Sequence, residues 1–114
     1  MSTSLLRKFN IFYITGKADN DFKSIIDYSD NFFSKLTWVQ SSKGNKYLRY
    51  NNVEYFLYRE SDNSVCIDYD TFCVSYIINF GLNDIDIVDI VRYYINKYFG
   101  IKLSKIAFNN RTQY

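Results

Sequence analysis

The side chains best able to do chemistry in this chain are carboxylates set in strand-like sequence. Alternation through Val65–Asp70 places Val65, Ile67 and Tyr69 on one face and Cys66, Asp68 and Asp70 on the other. The same alternation through Val53–Glu60 groups Glu54, Phe56, Tyr58 and Glu60, and Glu54 and Glu60 are the two glutamates of the whole sequence. If the two polar faces coincide, Glu54, Tyr58, Glu60, Asp68 and Asp70 share one acidic, tyrosine-containing sheet face.

Such a face has three chemical uses. Clustered oxygens hold Mg²⁺ or Ca²⁺, but no calcium-loop spacing or phosphate-binding loop accompanies these residues, so no metal ligand is assigned. Paired carboxylates hydrolyse glycosides across a cleft of roughly 5–9 Å. A chain of 114 residues with a small helical layer is poorly placed to build that cleft. Third, carboxylates steer and tyrosine anchors the docking of a basic protein surface.

Residues 38–59 form a different constellation, in which bases and aromatics interleave. Trp38, Tyr47, Arg49 and Tyr58 are its candidates for base stacking and phosphate contact, as a single-stranded nucleic-acid binder or a small nucleotide-acting enzyme would use them. The net charge of +2 is small for a nucleic-acid domain, and the Arg/Lys-Gly-Phe/Tyr order of the common RNA-binding sheet is absent. Other reactive groups lack activation. The chain has no His, which removes Ser-His and Cys-His pairs and imidazole metal sites. Cys66 and Cys73 match no CxxC motif and read as reduced, small buried hydrophobes within aromatic, apolar strands, and the four isolated glycines form no nucleotide-cradling loop. No catalytic residue and no cofactor is assigned.

The elements that must position these residues follow from periodicity. Phe9–Thr15, aromatic and β-branched and ending at Gly16, reads as a first strand. Asp19 or Asn20 then caps an amphipathic helix whose stripe is Phe22, Ile25, Ile26, Phe32 or Phe33, and Leu36. Turn signals at 42–45, 51–52 and 61–64 divide strands Leu36–Ser41, Lys46–Tyr50, Val53–Glu60, Val65–Asp70 and Phe72–Asn79. Asn83 or Asp84 opens a second helix that runs through Phe99 to a stop at Gly100, and Leu103–Phe108 can form a closing strand. The expected fold is therefore a single α+β domain over 1–114, a mainly antiparallel five- to six-stranded β-meander with two amphipathic helices packed on one face, and a frayed tail at 109–114.

With 47% apolar residues the chain can bury a real core without metal or disulfide. Its near-neutral total conceals segregation: the blocks 1–18, 19–30, 31–60, 61–91 and 92–114 carry +3, −3, +3, −6 and +5. The start of the sequence lacks a secretory pattern, and no uncharged apolar run approaches the ~20 residues of a membrane span, so a cytoplasmic protein without membrane association is expected. These features favour binding over catalysis. The expectation is a non-enzymatic inhibitor or immunity-type protein that neutralises a basic partner, such as a nuclease toxin, through the acidic sheet face. Homodimerisation through a free sheet edge or the aromatic surplus is a further arrangement the composition allows.

Overall fold

Apolar stripes at helical spacing and apolar alternation at strand spacing divide the described residues into ten segments. In the computed structural model they follow as α1 (Leu5–Thr15), α2 (Asn20–Phe33), β1 (Thr37–Gln40), β2 (Lys46–Tyr50), β3 (Val53–Arg59), β4 (Ser64–Asp68), a wide π-type turn (Tyr69–Cys73), α3 (Val74–Phe80), α4 (Asp84–Phe99) and β5 (Lys105–Asn109). The structure describes residues 4–50, 53–59 and 63–109, with positions 53–55, 57, 70, 71 and 109 described by backbone alone.

Two helices form where their caps and stripes require them. Asp19 accepts the Phe22 amide at 2.7 Å and opens α2, which buries Phe22, Ile25, Ile26, Phe32 and Phe33. Asn83 accepts the Asp86 amide at 2.9 Å while Asp86 accepts the Asn83 amide at 3.3 Å, a reciprocal capping box at the start of α4.

Two expected strands are helical instead. Phe9–Thr15 is the second half of α1, which begins at Leu5 because Ser4 accepts the Arg7 amide. From there Leu5, Phe9 and Phe12 recur at helical spacing, and Gly16 closes the helix in the left-handed region at φ 71°. The expected strand Phe72–Asn79 is the end of the wide turn followed by α3, with Phe72, Cys73 and Tyr76 turned inward and Gly81 (φ 66°) closing α3. Among the described residues the fold thus has four helices where two were expected.

The sheet order is β1-β2-β3-β4-β5. The first four strands form the expected antiparallel meander, but β5 pairs parallel to β4, so the sheet is mixed. Connecting two parallel neighbours needs a long crossover, which the turn, α3 and α4 supply. Leu48, Phe56, Tyr58, Val65 and Ile67 are buried on one face of the sheet. There Phe33 of α2 stacks on Phe56 at 5.9 Å and on Tyr94 of α4 at 5.1 Å. Further out, Phe9 of α1 stacks on Tyr93 of α4 at 4.3 Å. One core of buried aromatics and aliphatics runs through all of these elements. Among the described residues no helix is long and apolar enough to cross a membrane.

Candidate functional site

Strand register decides which predicted residues meet. Phe56 lies opposite Ile67 and Tyr58 opposite Val65, and all four are buried on the helix side. Asp68, one residue past Ile67, therefore faces the other side of the sheet and is half-buried there. Tyr58 and Asp68 do not share a surface. The Tyr58 ring packs edge-on against Trp38 at 5.4 Å, and its hydroxyl donates to the side-chain oxygen of Asn63 at 2.9 Å.

A bulge also breaks the alternation that linked Glu54 to Phe56. Register steps once from Leu48 to Arg49 but twice from Phe56 to Glu54, so β3 carries an extra residue and Glu54 pairs with Arg49. Asp70 falls in the wide turn rather than in a strand, and Glu60 lies outside the described residues. The second predicted set also divides between the two sides. Trp38 and Tyr58 lie on the helix side, where Trp38 reaches Phe99 at 5.6 Å, while Tyr47, opposite Val39, lies on the bare side. Arg49 follows Tyr47 by two positions in β2 and is half-buried.

On the bare side, register aligns Val39, Tyr47, Leu57, Cys66 and Ala107 in one row across all five strands. Val39, Tyr47, Cys66 and Ala107 are each half-buried. The ring contacts between helices and sheet are made from the opposite face, by Tyr50, Phe56 and Trp38. Among the described residues, then, no helix covers this row. Arg59 and Lys105 are exposed to one side of it, with Asp68 and Arg49 to the other, so charges of both signs flank an apolar centre. Sequence reasoning missed the row because it depends on register, which sets Leu57 rather than Tyr58 opposite Cys66, and on the parallel placement of β5. Its one visible trace was an apolar residue at the outward parity of several strands.

A second surface lies between α1 and α4. Leu6, Tyr13, Tyr93 and Leu103 line an open groove of about 720 Å³, with Arg92, Asn96, Lys97 and Lys102 completing its lining. Burial pushes the Tyr93 hydroxyl up to about 12, which keeps it protonated and a poor base at neutral pH. Lys97 pairs with Asp30 at 3.2 Å, and Arg92 donates to the Leu103 carbonyl. Among the described residues no carboxylate lines the groove. Burial raises the Asp89 carboxyl above the usual range, opposed by a hydrogen bond from the Leu6 backbone. The two cysteines form no disulfide with each other, Cys66 being half-buried on the bare sheet face and Cys73 buried in the core. Among the described residues no group of three or more Cys, Asp or Glu side chains is placed to hold a metal ion.

Comparison with known proteins matched no family model, no curated protein and no solved structure.

Proposed function

We propose that this protein is a non-catalytic protein-binding module that docks a partner on the bare face of its sheet, acting as inhibitors and immunity proteins do by occupying a partner's surface. One observation carries the reading: an apolar row crosses every strand, and no described helix covers it. Half-exposed apolar rows rimmed by charge are the usual make-up of a protein interface, with an apolar centre and a polar rim. The surface differs from the acidic one expected of the sequence. Asp68 remains on it, Tyr47 takes the place of Tyr58, and Arg59 and Lys105 bring positive charge. The partner that fits is accordingly apolar at its centre and carries both charge signs, with an acidic patch facing Arg59 and Lys105.

Val39→Glu and Tyr47→Glu place a charge in the row at half-exposed positions and test the surface directly. Both variants are expected to keep the far-UV circular dichroism of the parent and to lose the protein that co-purifies with it from its native cell. An unchanged co-purifying protein in both would overturn the assignment.

The same face favours a second reading, because Tyr47, Arg49, Arg59 and Lys105 put one ring and three bases on or beside a bare sheet. Titration of a fluorescent single-stranded oligonucleotide at low salt separates the two, since absence of binding there removes the nucleic-acid reading.

A further inference from the structure

Helix α4 carries a stripe that the fold leaves facing outward. Ile85, Asp89, Arg92 and Asn96 succeed one another at spacings of four, three and four, the spacing with which one helix packs along another. Ile85 is 74% exposed, Asn96 is exposed, and Asp89 and Arg92 are half-buried. The two ends of the stripe are opposite in character. At the start, Asp84 and Asp86 flank Ile85, so an apolar knob stands between carboxylates. Toward the end, the stripe runs into the groove walled by Leu6, Tyr13 and Leu103, whose charged lining residues are all cationic.

Helix α1 points the same way. It is apolar around much of its circumference and leaves Leu6 (45%), Ile11 (45%), Tyr13 (67%) and Ile14 (84%) exposed. A helix of that composition is normally covered. Its own cations, Arg7 and Lys8, make α1 an unsuitable occupant for the base-lined groove, whereas the acid-flanked Ile85 suits it.

We propose that α4 is the interface of a two-fold symmetric dimer, in which Ile85 of each copy seats in the groove between α1 and α4 of the other. Antiparallel pairing of the stripe with its own copy sets Asp89 against Arg92 twice, about the axis, and brings Ile85 opposite Asn96. Asp84 and Asp86 then approach Lys97 and Lys102 at both ends. The contact is isologous, so it closes at two copies. Opposed helix dipoles and complementary charge ends favour this direction over the parallel one. The sheet face stays free, so the dimer is independent of the docking proposed above.

Sedimentation equilibrium on the whole protein, over a range of concentrations at low and high salt, tests the proposal. The expected result is a concentration-dependent dimer that salt weakens. Ile85→Lys, at an exposed position, puts a cation into the base-lined groove and is expected to weaken the dimer by at least about tenfold. Asp89→Arg and Arg92→Asp are each expected to weaken it, and the double variant to restore it, because the swapped pair re-forms across the axis. A monomer at every concentration overturns the dimer, as does one whose groove instead takes up a poly-glutamate peptide or lipid vesicles. A dimer indifferent to Ile85→Lys, or a swap that fails to restore association, overturns the interface. Ile85→Lys should leave partner docking on the sheet face intact, which separates failure here from failure of that function.

Discussion

Ser29 of α2 and Tyr76 of α3 meet through a hydrogen bond of 2.9 Å in which both residues are fully buried. Burial pushes the Tyr76 hydroxyl well above its ordinary value, so it stays neutral and its bond to Ser29 costs no buried charge. Removing either hydroxyl leaves the other without this partner in a dry site. Ser29→Ala and Tyr76→Phe are each expected to lower stability by about 1–3 kcal/mol, and the double variant by clearly less than their sum. Urea denaturation of the four proteins checks this, and strict additivity would show the hydroxyls are not coupled. At this scale the sequence is a poor guide. Ser29 occupies a position on the buried stripe of α2 that residue type alone would leave in water. Tyr58 is expected as an exposed aromatic anchor beside the carboxylates, yet its ring fills the core and its hydroxyl donates to the turn residue Asn63.

Among the elements, α4 is the best determined by local chemistry. Its reciprocal cap satisfies two amides, and Asp84 and Asp86 sit in its first turn with Lys97 in its last. Asn83→Ala is expected to cost about 0.5–2 kcal/mol, read as a lower melting temperature with the same helix content. Its boundaries were legible because cap, stripe and stop agree, the start of α2 because its cap is plain, and β2 because turn signals flank it, whereas the stripe of α2 reads on to Leu36 although the helix ends at Phe33. The two misread segments show when such signals do not agree. Phe9–Thr15 has β-branched and aromatic residues throughout, and only a start at Ser4 reveals the spacing of Leu5, Phe9 and Phe12. Residues 72–80 are apolar except for Ser75 and Asn79, and over so short a run a period of 3.6 and one of 2 are hard to tell apart. There burial between α2 and the sheet selects the helix, with Phe72 held against Phe32, Phe33 and Phe56. Strand pairing offsets left no mark of their own, which is why the outward row, set by Leu57 lying opposite Cys66 and Cys66 beside Ala107, was not legible although most strands were.

Over the whole molecule, the segregated charge of the sequence is partly undone by folding. The −6 block spreads from β4 to the start of α4, and the +5 block begins on the same helix, so opposite signs become neighbours along α4. Lys97 crosses to Asp30 and Lys8 to Asp19, which joins basic blocks to the acidic one at 19–30. No charge count along the chain could anticipate that mixing, since it depends on which helices lie side by side.

The parallel pairing of β5 has a consequence in time. Strands β1 to β4 join through short turns and can assemble early from nearby segments, whereas Val65 must wait for Ile106 until the turn, α3 and α4 have formed between them. The last strand to arrive, paired on one edge only, is also the one whose release disturbs least of the sheet. In native-state hydrogen exchange, amides of β5 are therefore expected to open at lower free energy than those of β3, and equal protection in both strands would show the sheet to be a single cooperative unit.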